Sequence, residues 1–110
     1  VMSMYYFGRH GARTLMGLER VRGENYEQFY TLLVFEEQRL LGYYPNVMTF
    51  PSAILSNGDV QFPLGVAAHG EHSNSPWSLA KPVTAFEPLC QGLGALMQCI
   101  PWHIPAITRD

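Results

Sequence analysis

Charge is scarce in this chain. Charged residues make up 15% of its 110, against roughly 25% in ordinary soluble domains. Lysine occurs once, at Lys81, and the net charge is −2. A protein that grips nucleic acid by its phosphates presents a basic surface, so nucleic acid is disfavoured as a partner. Only two cysteines occur, Cys90 and Cys99, fewer than a small secreted disulfide scaffold usually needs. If the nine residues from Cys90 to Cys99 are helical, the thiols point to different faces. Two free thiols in a reducing compartment are then expected, with a mitochondrion or plastid as one setting. Proline is missing from the first part and occurs eight times from Pro45 onward. There is no glycine-rich phosphate loop, no serine elbow and no internal repeat.

Hydrophobic residues make up 47% of the chain, enough for one small domain with one modest core. A chain that opens at Val1 rather than Met is expected to be processed or trimmed. Val1–Phe7 is an apolar run that reads as a buried strand or as the end of something longer, and periodicity does not decide between them. Leu15–Val21 reads as a short helix and Asn25–Leu41 as a long one, because Tyr26, Phe29, Tyr30, Leu33, Leu40 and Leu41 recur at spacings of three and four. Asn25 with Gln28 makes a capping pair and Gly42 a left-handed stop. The prolines then forbid long regular elements. Asn57-Gly58 between Ala53–Leu55 and Val60–Phe62 predicts a two-residue hairpin turn. Pro63 to Pro82 reads as loop, and a second helix is expected near 87–100, from Pro88 to the stop at Pro101. The predicted fold is mainly α with a small β-hairpin (α+β). A helical hairpin within 1–44 is followed by a long irregular, Pro-rich half over 45–110, with its hairpin near 53–62, all in a single small domain.

Pro88–Thr108 contains no Asp, Glu, Lys or Arg and is long enough to reach across a bilayer. Gln91, Gln98, His103 and three prolines oppose a spanning helix, and a helix seated in a protein groove fits better. Fourteen aromatic residues without interleaved basic residues favour protein contact over base stacking. The expected interface residues are Tyr43, Tyr44, Trp77, Phe86, Trp102, Ile104 and Ile107.

Three constellations carry candidate chemistry. Arg9-His10-Gly11 with Arg13, after a strand-like run, resembles the R-H-G motif of the histidine phosphatase superfamily. Val66-Ala67-Ala68-His69-Gly70 is similar to that family's later strand with its His-Gly pair. The resemblance implies an α/β fold, His10 as phosphoryl acceptor, Arg9 and Arg13 as phosphate ligands and His69 as their partner. Neutral imidazole attack with guanidinium forks on the phosphoryl oxygens is sound chemistry. His69-x-x-His72 with Cys99-x-x-x-His103 offers two nitrogen–sulfur pairs for zinc, although surface histidines and a buried Cys are the commoner outcome. No cofactor is expected. Glu36-Glu37 offers a carboxylate near the apolar stripe. An ion pair with Arg20, Arg22 or a partner is the expected role, because structural pairs outnumber catalytic ones.

The residues favour a non-catalytic accessory or structural subunit of a larger protein complex, in an organellar or membrane-associated setting with 88–108 as the membrane candidate. Its partners are other protein subunits. The alternative is a small phosphoryl-transfer enzyme built on Arg9-His10-Gly11.

Overall fold

The described residues up to Tyr44 form a sheet. In the computed structural model, which describes residues 2–25, 27–63, 66–71 and 75–105, they make a four-stranded antiparallel meander. Its strands are β1 (Met2–His10), β2 (Arg13–Arg22), β3 (Glu27–Glu36) and β4 (Arg39–Tyr44), paired in the order β1-β2-β3-β4. No α-helix occurs among the described residues, which overturns the mainly-α fold and its helical hairpin. The cause lies in β3. Thr31, Leu32, Leu33 and Val34 are all buried, so both faces of this interior strand are covered and the two-residue alternation of an ordinary strand is lost. A β-bulge between Val34 and Phe35 shifts the register once more. Apolar spacings of three and four then arise across two strands and a turn. Tyr26, at the start of that apparent stripe, lies outside the described residues.

Two-residue turns close the first and third hairpins of the meander. His10 pairs with Arg13, and Glu36 with Arg39. Gly11 (φ 59) opens the first turn and Glu37 (φ 55) the second. A positive φ at the first turn position matches the right-handed twist of the strands and normally selects glycine. Glu37 is held there by its amide, which donates to the Ala12 carbonyl at 2.9 Å and so ties the two turns together. Glu37→Gly should therefore stabilise the chain by about 1 kcal/mol, the cost of a left-handed conformation for an L side chain. A lower urea midpoint for the glycine variant would contradict this.

The second half is also sheet. β5 (Ala53–Ile54) and β6 (Val60–Gln61) flank the Asn57-Gly58 turn. The connection is longer than two residues: the Gly58 amide donates to the Leu55 carbonyl and the Leu55 amide to the Asp59 carbonyl, at 2.9 and 2.8 Å. Only Gly58 of the Asn-Gly pair takes a positive φ, the pattern of a type I turn closed by a left-handed glycine. β7 (Val66–Gly70) occupies part of the expected loop. β8 (Leu89–Leu93) and β9 (Leu96–Ile100) replace the expected helix near 87–100, and the three strands pair as β7-β8-β9. Pro88 and Pro101 bracket a hairpin as readily as a helix, and Gly94 (φ 61) makes the turn that splits it. None of the described residues forms a helix long and apolar enough to cross a membrane.

The hairpin also corrects the expectation for cysteine. Cys90 and Cys99 are direct partners in the β8–β9 register and form a disulfide. A nine-residue offset that separates thiols around a helix brings them face to face across a short hairpin.

The core fills the space between the meander and the second half. Leu15, Leu32, Val34 and Tyr44 meet Val60, Trp77, Leu79, Phe86, Leu89 and Ile100. A sheet face covers far more apolar surface than a helix stripe, so the second half finds its cover within the chain. Residues 101–105 return along β4, where Tyr43 and His103 exchange both backbone hydrogen bonds at 2.9 Å. Gly42 makes room for this return, since a Cβ there would overlap the Trp102 ring and press on the His103 carbonyl. Gly42→Ala should cost about 1–3 kcal/mol through overpacking, with faster amide exchange at His103. Unchanged exchange there would show that the segment is held elsewhere.

Candidate functional site

The phosphatase-like residues do not converge. Arg9 and His10 end β1, and Arg13 begins β2 across the turn. The Arg9 guanidinium donates to the Gly11 carbonyl at 3.2 and 2.9 Å and so caps its own turn. Arg13, with its side chain 15% exposed, donates to the carbonyls of Leu79 (3.0 Å) and Lys81. It also lies over the Phe86 ring and 3.5 Å from Glu36. Both guanidiniums are thus committed to protein carbonyls. His69 is in β7, in a different sheet, opposite Cys90, with Nδ1 2.6 Å from the Gly70 carbonyl.

The zinc candidates are likewise apart. Cys99 is in the disulfide, His103 stacks on Tyr43 at 5.3 Å, and His72 lies outside the described residues. No group of three or more His, Cys, Asp or Glu is placed to hold a metal ion among the described residues. Of the paired carboxylates, Glu36 meets Arg13 at 3.5 Å and Arg39 at 3.8 Å. Arg39 faces Glu36 directly across the β3–β4 turn, so this carboxylate is paired by Arg13 and Arg39 rather than by Arg20 or Arg22.

The expected interface residues fall in several places. Tyr44 and Trp77 are fully buried and Phe86 nearly so. The Tyr44 hydroxyl donates to the Glu87 carbonyl at 2.7 Å and accepts from Trp77 Nε1 at 3.0 Å. Burial pushes the Tyr44 pKa far above the usual tyrosine range. Trp102 is half-buried against Tyr44 and Phe86. Tyr43 is half-buried and Ile104 is exposed. Ile107 lies outside the described residues.

The register of the meander assembles a different surface. Directly paired residues project from the same side of a sheet. On the face turned away from the core, Tyr6, Met16, Leu33 and Tyr43 form one row across all four strands, and His103 extends it past β4. The next rows are Met4–Leu18–Thr31 and Met2–Arg20–Phe29. Met2, Met4 and Tyr6 are exposed by 67%, 54% and 61%, Met16, Leu18 and Phe29 are half-buried, and Thr31 and Leu33 of β3 are buried beside them. Three of the five methionines stand here, side chains that adapt to irregular partner shapes.

No protein-family model, curated protein or solved structure matches the chain. Its chemistry must therefore be read from its own surface, and the two sides of the meander differ sharply. Beyond the core, the inner side ends in a hydrogen-bonded chain. Tyr5 and Gln28 both donate to Glu19, at 2.7 and 3.0 Å, and Tyr30 donates to Gln28 at 3.0 Å. The bond to Glu19 raises the Tyr5 pKa. Those polar groups satisfy one another. Apart from Arg20, Thr31 and His103, the outer rows offer apolar and aromatic side chains, which bind by releasing water. The signal was present in the sequence as the alternation of Met2, Met4 and Tyr6 and of Met16 and Leu18, with a period of two.

Proposed function

We propose that this chain is a non-catalytic subunit of a larger protein assembly, held to a protein partner by the outer face of its four-stranded sheet. The observation that carries the reading is the exposed apolar group Met2, Met4 and Tyr6 on β1, continued by the half-buried Met16 and Leu18 on β2 and backed at β3 by the buried Leu33 and Thr31. Soluble monomers rarely leave a broad contiguous apolar patch open, and such patches mark sites of association. The low charge of the whole chain, 15%, points the same way, because interface cores are depleted in charged residues. Aromatic and methionine side chains are the types enriched there.

The test uses the chain in its native source. Leu18→Glu places a carboxylate in the middle of the patch at a half-buried site, and Leu96→Glu places one at the exposed β8–β9 turn, where Leu96 is 77% exposed. The expected result is that Leu18→Glu elutes at the mass of the free chain while Leu96→Glu stays in the assembly, both with unchanged circular dichroism. Retention of Leu18→Glu in the assembly would overturn the proposal. Turnover of a phosphomonoester that is lost in His10→Ala would overturn it in favour of the enzyme.

A further inference from the structure

The meander has two edges, and the chain treats them differently. At β4 the edge is covered by residues 101–105 through the Tyr43–His103 pair. At β1 no such neighbour occurs among the described residues. The last part of β1 is protected in another way: a bulge falls between Tyr6 and Gly8, and Gly8 lies against Ile54 of β5. Bulges and covering segments are the usual means of keeping an edge from pairing with another chain. Among the described residues, Met2–Tyr6 has neither. It also lacks the other protections, since the sequence Met-Ser-Met-Tyr-Tyr contains no proline, lysine or other charge. Five residues of regular strand are open, and their midpoint is Met4.

We propose that this edge pairs with the same edge of a second copy of the chain, antiparallel and centred on Met4. A twofold interface must be complementary to itself, because residue i of one copy meets residue j of the other and the reverse. With the axis at Met4, Met2 faces Tyr6, Met4 faces Met4, and Ser3 faces Tyr5. The first two pairings are apolar and lie on the outer side; the third joins two hydroxyl side chains on the inner side. The strand therefore matches itself position by position. Nor are like charges opposed. The nearest charged residue of β1 is Arg9, beyond the bulge and outside the paired stretch. Pairing on a residue rather than between residues keeps each outer face on the same side. The four strands of each copy then continue into one sheet, and the two Tyr6–Met16–Leu33–Tyr43 rows come to lie on a single doubled surface. The inference goes beyond the proposed docking face: the edge joins copies, and the face remains open to another protein.

Sedimentation equilibrium of the purified chain over a rising concentration series reads the pairing directly. Met4 is 54% exposed, so a charge there leaves the fold intact, which circular dichroism verifies. Twice the monomer mass is expected for the unaltered chain, with monomers for Met4→Lys and for Met4→Glu taken separately. An equal mixture of the two variants should recover the double mass, since opposite charges then meet at the axis. Leu96→Lys, at the far β8–β9 turn, should remain paired. A strictly monomeric unaltered chain would overturn the proposal, as would a dimer that tolerates Met4→Lys. Either result leaves the docking face untouched, because Leu18→Glu still tests that face in the native assembly.

Discussion

Trp77→Ala should cost about 3–5 kcal/mol, the range for truncating a fully buried aromatic residue. Small domains have total stabilities of about 5–15 kcal/mol, so this one change should bring the chain close to unfolding. Trp77 is 0% exposed and is tied to all three sheets. Its indole N–H donates to the Tyr44 hydroxyl of β4 at 3.0 Å. Its carbonyl accepts the amide of Val60 in β6, and its amide donates to Ala68 of β7, at 2.9 and 3.2 Å. Its ring meets Tyr44 edge-on at 5.6 Å and stacks on Phe86 at 5.7 Å. Trp77→Phe keeps much of the volume but leaves the buried Tyr44 oxygen without its donor, and should cost about 1–3 kcal/mol. Urea titrations of both variants check the ordering. A cost for Trp77→Ala below about 0.5 kcal/mol, the usual size of a surface effect, would mean that the ring sits on the surface of the free chain rather than in its core.

Removing the disulfide should have the second largest effect. Replacing Cys90 and Cys99 together by alanine opens a loop of about ten residues, worth about 2–3 kcal/mol in the chain-entropy account. The loss should be local in character. β8 holds Gln91, fully buried, whose side chain accepts from the Met48 amide at 2.7 Å and donates to the Thr49 carbonyl at 3.2 Å. Amides of β7, β8 and β9 should therefore exchange faster in the double variant, while the meander keeps most of its protection. Treatment of the unaltered chain with an excess of dithiol should reproduce both the midpoint shift and the exchange pattern. Equal acceleration across β1–β4 would show that the chain unfolds as one unit and that the hairpin has no separate stability.

How much of this could be read beforehand follows from individual residues. The breaks were legible: Gly23 falls in the β2–β3 turn, Asn57-Gly58 joins β5 to β6, and Pro101 follows the end of β9. The elements between them were not. Asn25, which reads as a helix cap, belongs to the β2–β3 turn. Gly42, which reads as a helix stop, is strand backbone that accommodates Trp102. A strand covered on both sides carries no alternation, so Thr31–Val34 gave no period to detect. Pairing across the sheet decides which side chains meet, and composition does not contain it. The alternation of Met2, Met4 and Tyr6 could have been seen as a half-open strand face, but its extent across four strands needed the register. Arg9-His10-Gly11 shows the opposite risk. Its glycine answers to a turn and its arginine to a carbonyl, and both requirements recur wherever a tight hairpin occurs.

The acceptors of Arg13 have one further consequence. This guanidinium joins the start of β2 to the segment before Phe86 mainly through the carbonyls of Leu79 and Lys81. A carbonyl has no ionisable proton and carries no net charge. Acidification leaves these carbonyl contacts in place, because arginine stays charged at every accessible pH. Added salt, which screens paired charges in water, has little hold on a part-buried bond to a neutral oxygen. The join between the two halves of the chain is thus set to withstand changes of acidity and ionic strength that would loosen an ordinary ion pair.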